Sequence, residues 1–138
     1  MTRSSLKILG ALVCDDVRFE IGGKYTVVGV YGPELNSPDF PCVITLRVVV
    51  FIDILEAGEI YFEFRLVRSE GEVIGDAKGG MEAARPANGI LLPLGPFTFT
   101  FMKPGSFKLQ FQSAPGRWKT VQKWNFAPPP TSPTPTSP

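Results

Sequence analysis

Asp15 and Asp16 stand side by side in the segment CDDVRFEIGGKYTVVGVYG, residues 14 to 32, with Arg18 and Glu20 close behind and Glu34 and Asp39 in the stretch that follows. Hard cations take clustered oxygens, so Asp15, Asp16 and Asp39, helped by Glu34, are the candidate calcium ligands. Their spacing matches no defined calcium loop, and Arg18 sets a competing positive charge two residues from Asp16. Glycoside hydrolysis needs two acids about 5 to 10 Å apart across a sugar cleft, whereas neighbours on a strand point to opposite faces. The cluster therefore argues for no catalytic residue, no metal and no cofactor. A second candidate is aromatic. GRWKTVQKWNF places Trp118 and Trp124 among basic residues, and such rings stack on sugars or bases; with Tyr31 they form the candidate binding surface. Six apart on one strand, the tryptophans share a face with Thr120 and Gln122, and at least one is expected to cap the core.

Other chemistry is excluded by composition. The chain has no histidine, which removes the commonest neutral-pH base, the commonest zinc ligand and every histidine triad. Cys14 and Cys42 are too few and too far apart for a zinc ribbon or a redox CxxC motif, and are expected to be reduced thiols of a cytoplasmic protein, a single disulfide being the alternative. Gly29-Val30-Tyr31-Gly32 lacks the spacing and the helix of a phosphate loop. Fourteen basic against thirteen acidic residues, net +1, leave no footprint for nucleic acid or membrane. The start, MTRSSLKILGALVC, fails as a signal because Val13 precedes the cysteine and the apolar run Ile8 to Val13 is short. No stretch approaches the roughly eighteen apolar residues that span a bilayer.

These residues must be held by strands. EIYFEFRLVR alternates Ile60, Phe62, Phe64 and Leu66 against Tyr61, Glu63, Arg65 and Val67; PFTFTFM and SFKLQFQ repeat the pattern, the mark of half-buried strands. CVITLRVVVFIDI is apolar on both faces, as suits a central strand covered on each side. Turn pairs break the chain too often for long helices, among them Gly22-Gly23, Gly32-Pro33, Asn88-Gly89 and Pro104-Gly105; AKGGMEAARPA is the only helix candidate. The expected fold is all-β, an antiparallel two-sheet β-sandwich (Ig-like or related) of about seven to nine strands over residues 1–127, with a small closed barrel as the alternative. Residues 128–138, PPPTSPTPTSP, read as a disordered proline-rich tail.

A two-residue Gly22-Gly23 turn would pair Phe19 with Thr26, Val17 with Val28 and Asp15 with Val30 on the core face. Asp16, Arg18 and Glu20 would then lie on the solvated face, and Asp15 would need a bulge near Cys14 to escape the core. The same segment resembles a family of uncharacterised small bacterial proteins in which a Cys-acid-acid run leads through an Arg-x-Glu-x-Gly-Gly-Lys turn into a Gly-Val-Tyr-Gly strand. The matching residues are Cys14, Asp15, Asp16, Arg18, Glu20, Gly22, Gly23, Lys24, Gly29, Val30, Tyr31 and Gly32. The resemblance implies a cytoplasmic bacterial all-β domain and, as the family has no assigned activity, points to no particular chemistry. The resulting expectation is a non-enzymatic accessory or protein-interaction module with a protein partner; the alternative is a domain binding carbohydrate or calcium through sandwich-end loops.

Overall fold

Alternation of apolar and polar residues becomes nine strands in the computed structural model, which describes residues 5–37 and 39–128. In order these are β1 (Leu6–Phe19), β2 (Tyr25–Tyr31), β3 (Glu34–Asn36), β4 (Cys42–Ile54), β5 (Gly58–Arg68), β6 (Val73–Ala83), β7 (Ala87–Phe101), β8 (Gly105–Ala114) and β9 (Arg117–Ala127). The chain is all-β, with no helix among the described residues. The stretch AKGGMEAARPA is not helical: it runs along β6 and into the next turn, with Gly79 and Gly80 paired to Phe62 and Tyr61. The tail expected over 128–138 lies, beyond Pro128, outside the described residues.

Four strands form one sheet in the order β2-β1-β4-β7, and five form a second in the order β3-β9-β8-β5-β6. The five-stranded sheet curls into a half-barrel. Its pairings are antiparallel except at the edge, where β3 runs parallel to β9. A three-residue strand can be parallel here because Asn125 N–H donates to Pro33 O and Ser37 N–H to Ala127 O, so its flanks are pinned as well as its ladder.

Between the sheets, β4 sends every even-numbered side chain inward, and Leu46, Val48, Val50 and Ile52 are fully buried. Its odd-numbered face is not covered in the way the apolar sequence suggested. Val49 is buried, flanked across the ladder by Leu12 and Pro93, but Val43 on the same face is 68% exposed. Strand β7 extends further back than its PFTFTFM signature, through Asn88-Gly89 and past Pro93 and Pro96. It is an edge strand of its sheet, where a residue without an N–H is tolerated, and a register shift opposite Leu46 and Val48 absorbs the extra residue at Gly95-Pro96.

The opening hairpin is one residue out of the expected register. Phe19 pairs with Tyr25, Val17 with Val27, Arg18 with Thr26 and Asp16 with Val28. The loop is Ile21-Gly22-Gly23, closed by Gly23 N–H to Glu20 O and Glu20 N–H to Lys24 O. Both glycines have positive φ, 95° and 78°, which a side-chain-bearing residue adopts at a cost. Glycine therefore serves a three-residue loop as well as the two-residue turn. No bulge forms at Cys14; the irregularity of β1 lies between Ile8 and Gly10 instead.

Candidate functional site: a cleft between the sheets

The carboxylates of the first segment separate. Asp15 is exposed on the face that carries Val13, and its side chain lies across Gly29, where a Cβ would collide with the carboxylate. The Tyr31 hydroxyl donates to Asp15 Oδ1 at 2.5 Å. That hydrogen bond, followed by burial, pushes the Tyr31 pKa up to about 12. Asp16 faces the other way, 3.4 Å from Arg18 Nε and 3.4 Å from Arg47 Nε, and accepts from Val17 N–H. Its oxygens are committed to cations already present. Asp39 is exposed beyond β3. Among the described residues no three Cys, Asp or Glu side chains come together in a way that could hold a metal ion.

The tryptophans part company too. A register shift in β9 leaves Val121 unpaired between Gln122 and Thr120, which puts the two rings on opposite faces. Trp124 is buried and stacks on Phe107 at 5.4 Å; it belongs to the core and to no binding surface. Trp118 remains on the outer face, covered by the Arg65 guanidinium 3.9 Å from its ring centre. Arg65 also donates to Gln110, and Gln112 donates to Glu63 at 2.7 Å. These partners satisfy one another across the sheet. The cysteines lie on opposite faces of the four-stranded sheet: Cys14 is opposite Arg47, whereas Cys42 belongs to the inward set of β4 five residues away, beyond the reach of a disulfide. Burial, and then the neighbouring Asp15 charge, raise the Cys14 pKa.

A concave feature lies elsewhere. Where β1 begins, Ser5 to Ile8 face the start of β5, the middle of β6 and the end of β8 across a cleft of about 940 Å³. Its walls are Leu6, Ile8, Ile60, Phe62 and Phe111, whereas Lys7 and Lys78 lie opposite Asp53 and Glu63 on the outer faces of the two sheets. Glycines shape one wall. Phe62 pairs with Gly79 and lies against it, so that a Cβ there would come within 3.0 Å of the ring; without that Cβ the phenyl ring can lie along the β6 backbone. Lys119 pairs with Phe111 and so shares its inward face. Glu63 lies on the outer face of β5, opposite Lys78, and accepts from Gln112.

Sequence reasoning placed Phe62 and Phe111 on a core face but not at a cleft. The signal was the pair Gly79-Gly80 inside a strand opposite two aromatic residues, a place where the sheet offers no side chains of its own. A volume of this size is at the upper end of small-molecule sites, roughly 300 to 1,000 Å³, which are mainly apolar with few polar groups. No helix among the described residues is long and apolar enough to cross a membrane. In comparisons with known proteins, the chain matches no family model and no curated protein.

Proposed function

We propose that this chain is a non-enzymatic binding module, a β-sandwich of Ig-like or related type, whose ligand enters the cleft between the two sheets. The observation that carries this reading is the 940 Å³ apolar cleft itself, since burying apolar ligand surface there contributes about 25 cal/mol per Å². Walls of apolar side chains support binding over acid–base catalysis, which usually pairs groups of opposed role. Neither calcium nor a stacked sugar is favoured, because the acids are dispersed and Trp118 is covered. Cytoplasmic residence fits two cysteines on opposite faces of one sheet. Nile red, a neutral dye that brightens in apolar sites, tests the reading. Its fluorescence should rise with the wild-type protein and fall back in folded Ile8→Glu and Phe62→Glu variants; equal brightening in all three would place the dye elsewhere and refute the cleft.

The accessory or protein-interaction role is the second reading, and a separate observation favours it. Val28, Val30 and Val43 are exposed on the outer face of the four-stranded sheet, and Leu9 is exposed at the β1 bulge. Apolar groups gathered on one face mark contact surfaces more often than isolated ones do.

A further inference from the structure

We infer that this chain associates with a second copy of itself through the open edge of β2, the two strands lying antiparallel about a two-fold axis so that the four-stranded sheets join into one of eight strands. The pairing rests on the second reading above, that the chain makes protein contacts, and adds the partner and the strand that meets it.

The four sheet edges are unequally guarded, and that difference carries the inference. An unpaired edge is a template for another strand unless brevity, charge or proline blocks it. Strand β3 is three residues long, β7 carries Pro93 and Pro96, and β6 exposes Asp76, Lys78 and Glu82. Strand β2, YTVVGVY, has seven residues with no charge and no proline. Glu20 N–H donates to Lys24 O at the start of its ladder with β1, and bonded and unbonded pairs alternate along two antiparallel strands. Tyr25 and Val27 therefore turn their N–H and C=O groups away from β1, toward the open side. Among the described residues no backbone bond from another segment reaches them. Gly29, at φ 68°, leaves the regular course of the strand, so Tyr25 to Val28 is the stretch that pairs. Val28 and Val30, 38% and 56% exposed on the outer face, gain cover from their counterparts. Charge and closure select a second copy as the occupant. Lys24 precedes β2 and Glu34 follows it, both exposed, so antiparallel copies set the basic end of each strand against the acidic end of the other. Two-fold pairing uses the same edge of both copies, and the joined sheet then ends on β7 at either side, where Pro93 and Pro96 stop further growth.

Sedimentation velocity on the full chain tests the pairing. Between about 10 µM and 1 mM protein the sedimentation coefficient should climb from that of a monomer to that of a dimer. Val27→Pro removes a donor on the open side while leaving β1 its bonds, and Val28→Lys places a charge where the two copies meet. Each should raise the dimer dissociation constant at least about tenfold while keeping the circular dichroism of the wild type. Val43→Lys, on the same face but on β4, should leave the constant unchanged. Exchange of the Tyr25 and Val27 amides should slow at least about tenfold as the protein is concentrated; together with Val28→Lys this decides the matter if Val27→Pro does not fold. A wild-type chain that stays monomeric at the highest concentration overturns the inference and leaves the outer face to a foreign partner. A dimer dispersed by Val43→Lys but by neither β2 variant overturns it too, since faces rather than edges would then meet. A dimer undiminished in all three variants would place the contact away from this edge and face alike, and would overturn the contact reading with it.

Discussion

The two ends of the inter-sheet space are built by the same alternation and filled differently. At one end Phe97, Phe99 and Phe101 of β7 meet Phe107 of β8 and Trp124 and Phe126 of β9, all buried. Their rings interlock: Phe101 stacks on Phe126 at 4.8 Å, Phe99 meets Phe107 edge-on at 5.4 Å, and Phe107 stacks on Trp124. At the other end the inward positions include Gly79 and Ser113, and the rings that remain, Phe62 and Phe111, are only half-buried. Inward-facing pattern therefore makes a sheet pair, but side-chain volume on both walls decides whether the pair closes. The closed end is packed ring against ring, and the open end leaves a cleft.

Truncating a ring at each end measures the difference. Phe107→Ala should cost about 3 to 5 kcal/mol, because it empties a site enclosed by Phe99, Phe101 and Trp124. Phe111→Ala should cost about 1 to 2 kcal/mol, as its ring already borders solvent and leaves little new cavity. Denaturant unfolding of the two variants reads both values. Equal losses would show that the cleft end is as tightly coupled to the core as the aromatic end.

Adding a methyl group at each end approaches the same contrast from the opposite direction. A Cβ on Gly75 would come 2.6 Å from Phe97 Cδ1, and Phe97 is held among packed neighbours. Gly75→Ala should therefore cost about 1 to 3 kcal/mol through overpacking. On Gly79 the approach to Phe62 is 3.0 Å, and that ring has the cleft to move into. Gly79→Ala should change stability by less than about 1 kcal/mol, since strain is relieved and backbone entropy is gained. It should also weaken Nile red binding by pushing Phe62 into the site; unchanged binding together with a large stability loss would mean that Phe62 is fixed.

Much of this contrast was hidden from the sequence for physical reasons. Strand β4 was legible to the residue, because eleven of its thirteen positions are β-branched or apolar and admit little else. The first half of β7 was not, since its glycines and prolines look like breaks unless the strand is known to lie at an edge. The hairpin register turned on whether Ile21 joins the loop, and Gly22-Gly23 suits either answer. Trp118 and Trp124 were placed on one face because an unpaired Val121 leaves no mark in local composition. The cleft depends on which strands face one another across the two sheets, a matter of pairing between residues as distant as Ile8 and Phe111.

The closed end also caps its marginal charge. Asp15 lies on the face of Val13 at the limit of the core, and the Tyr31 hydroxyl covers it. Tyr31→Phe should cost about 1 kcal/mol, the worth of a partly exposed hydrogen bond to a charged group. The pH dependence follows from the phenol, whose pKa rises from 10 to about 12 chiefly through that bond. A folded-state value above the unfolded one means that the bond's contribution is fully present below pH 10 and is lost as pH climbs through 12. The stability difference between wild type and Tyr31→Phe should accordingly stay constant at neutral pH and shrink above pH 10. An Asp15→Ala variant should destroy the difference at every pH. A gap that persists undiminished into alkali would show that Tyr31 acts through packing on Val13 and its neighbours, and that its proton is immaterial.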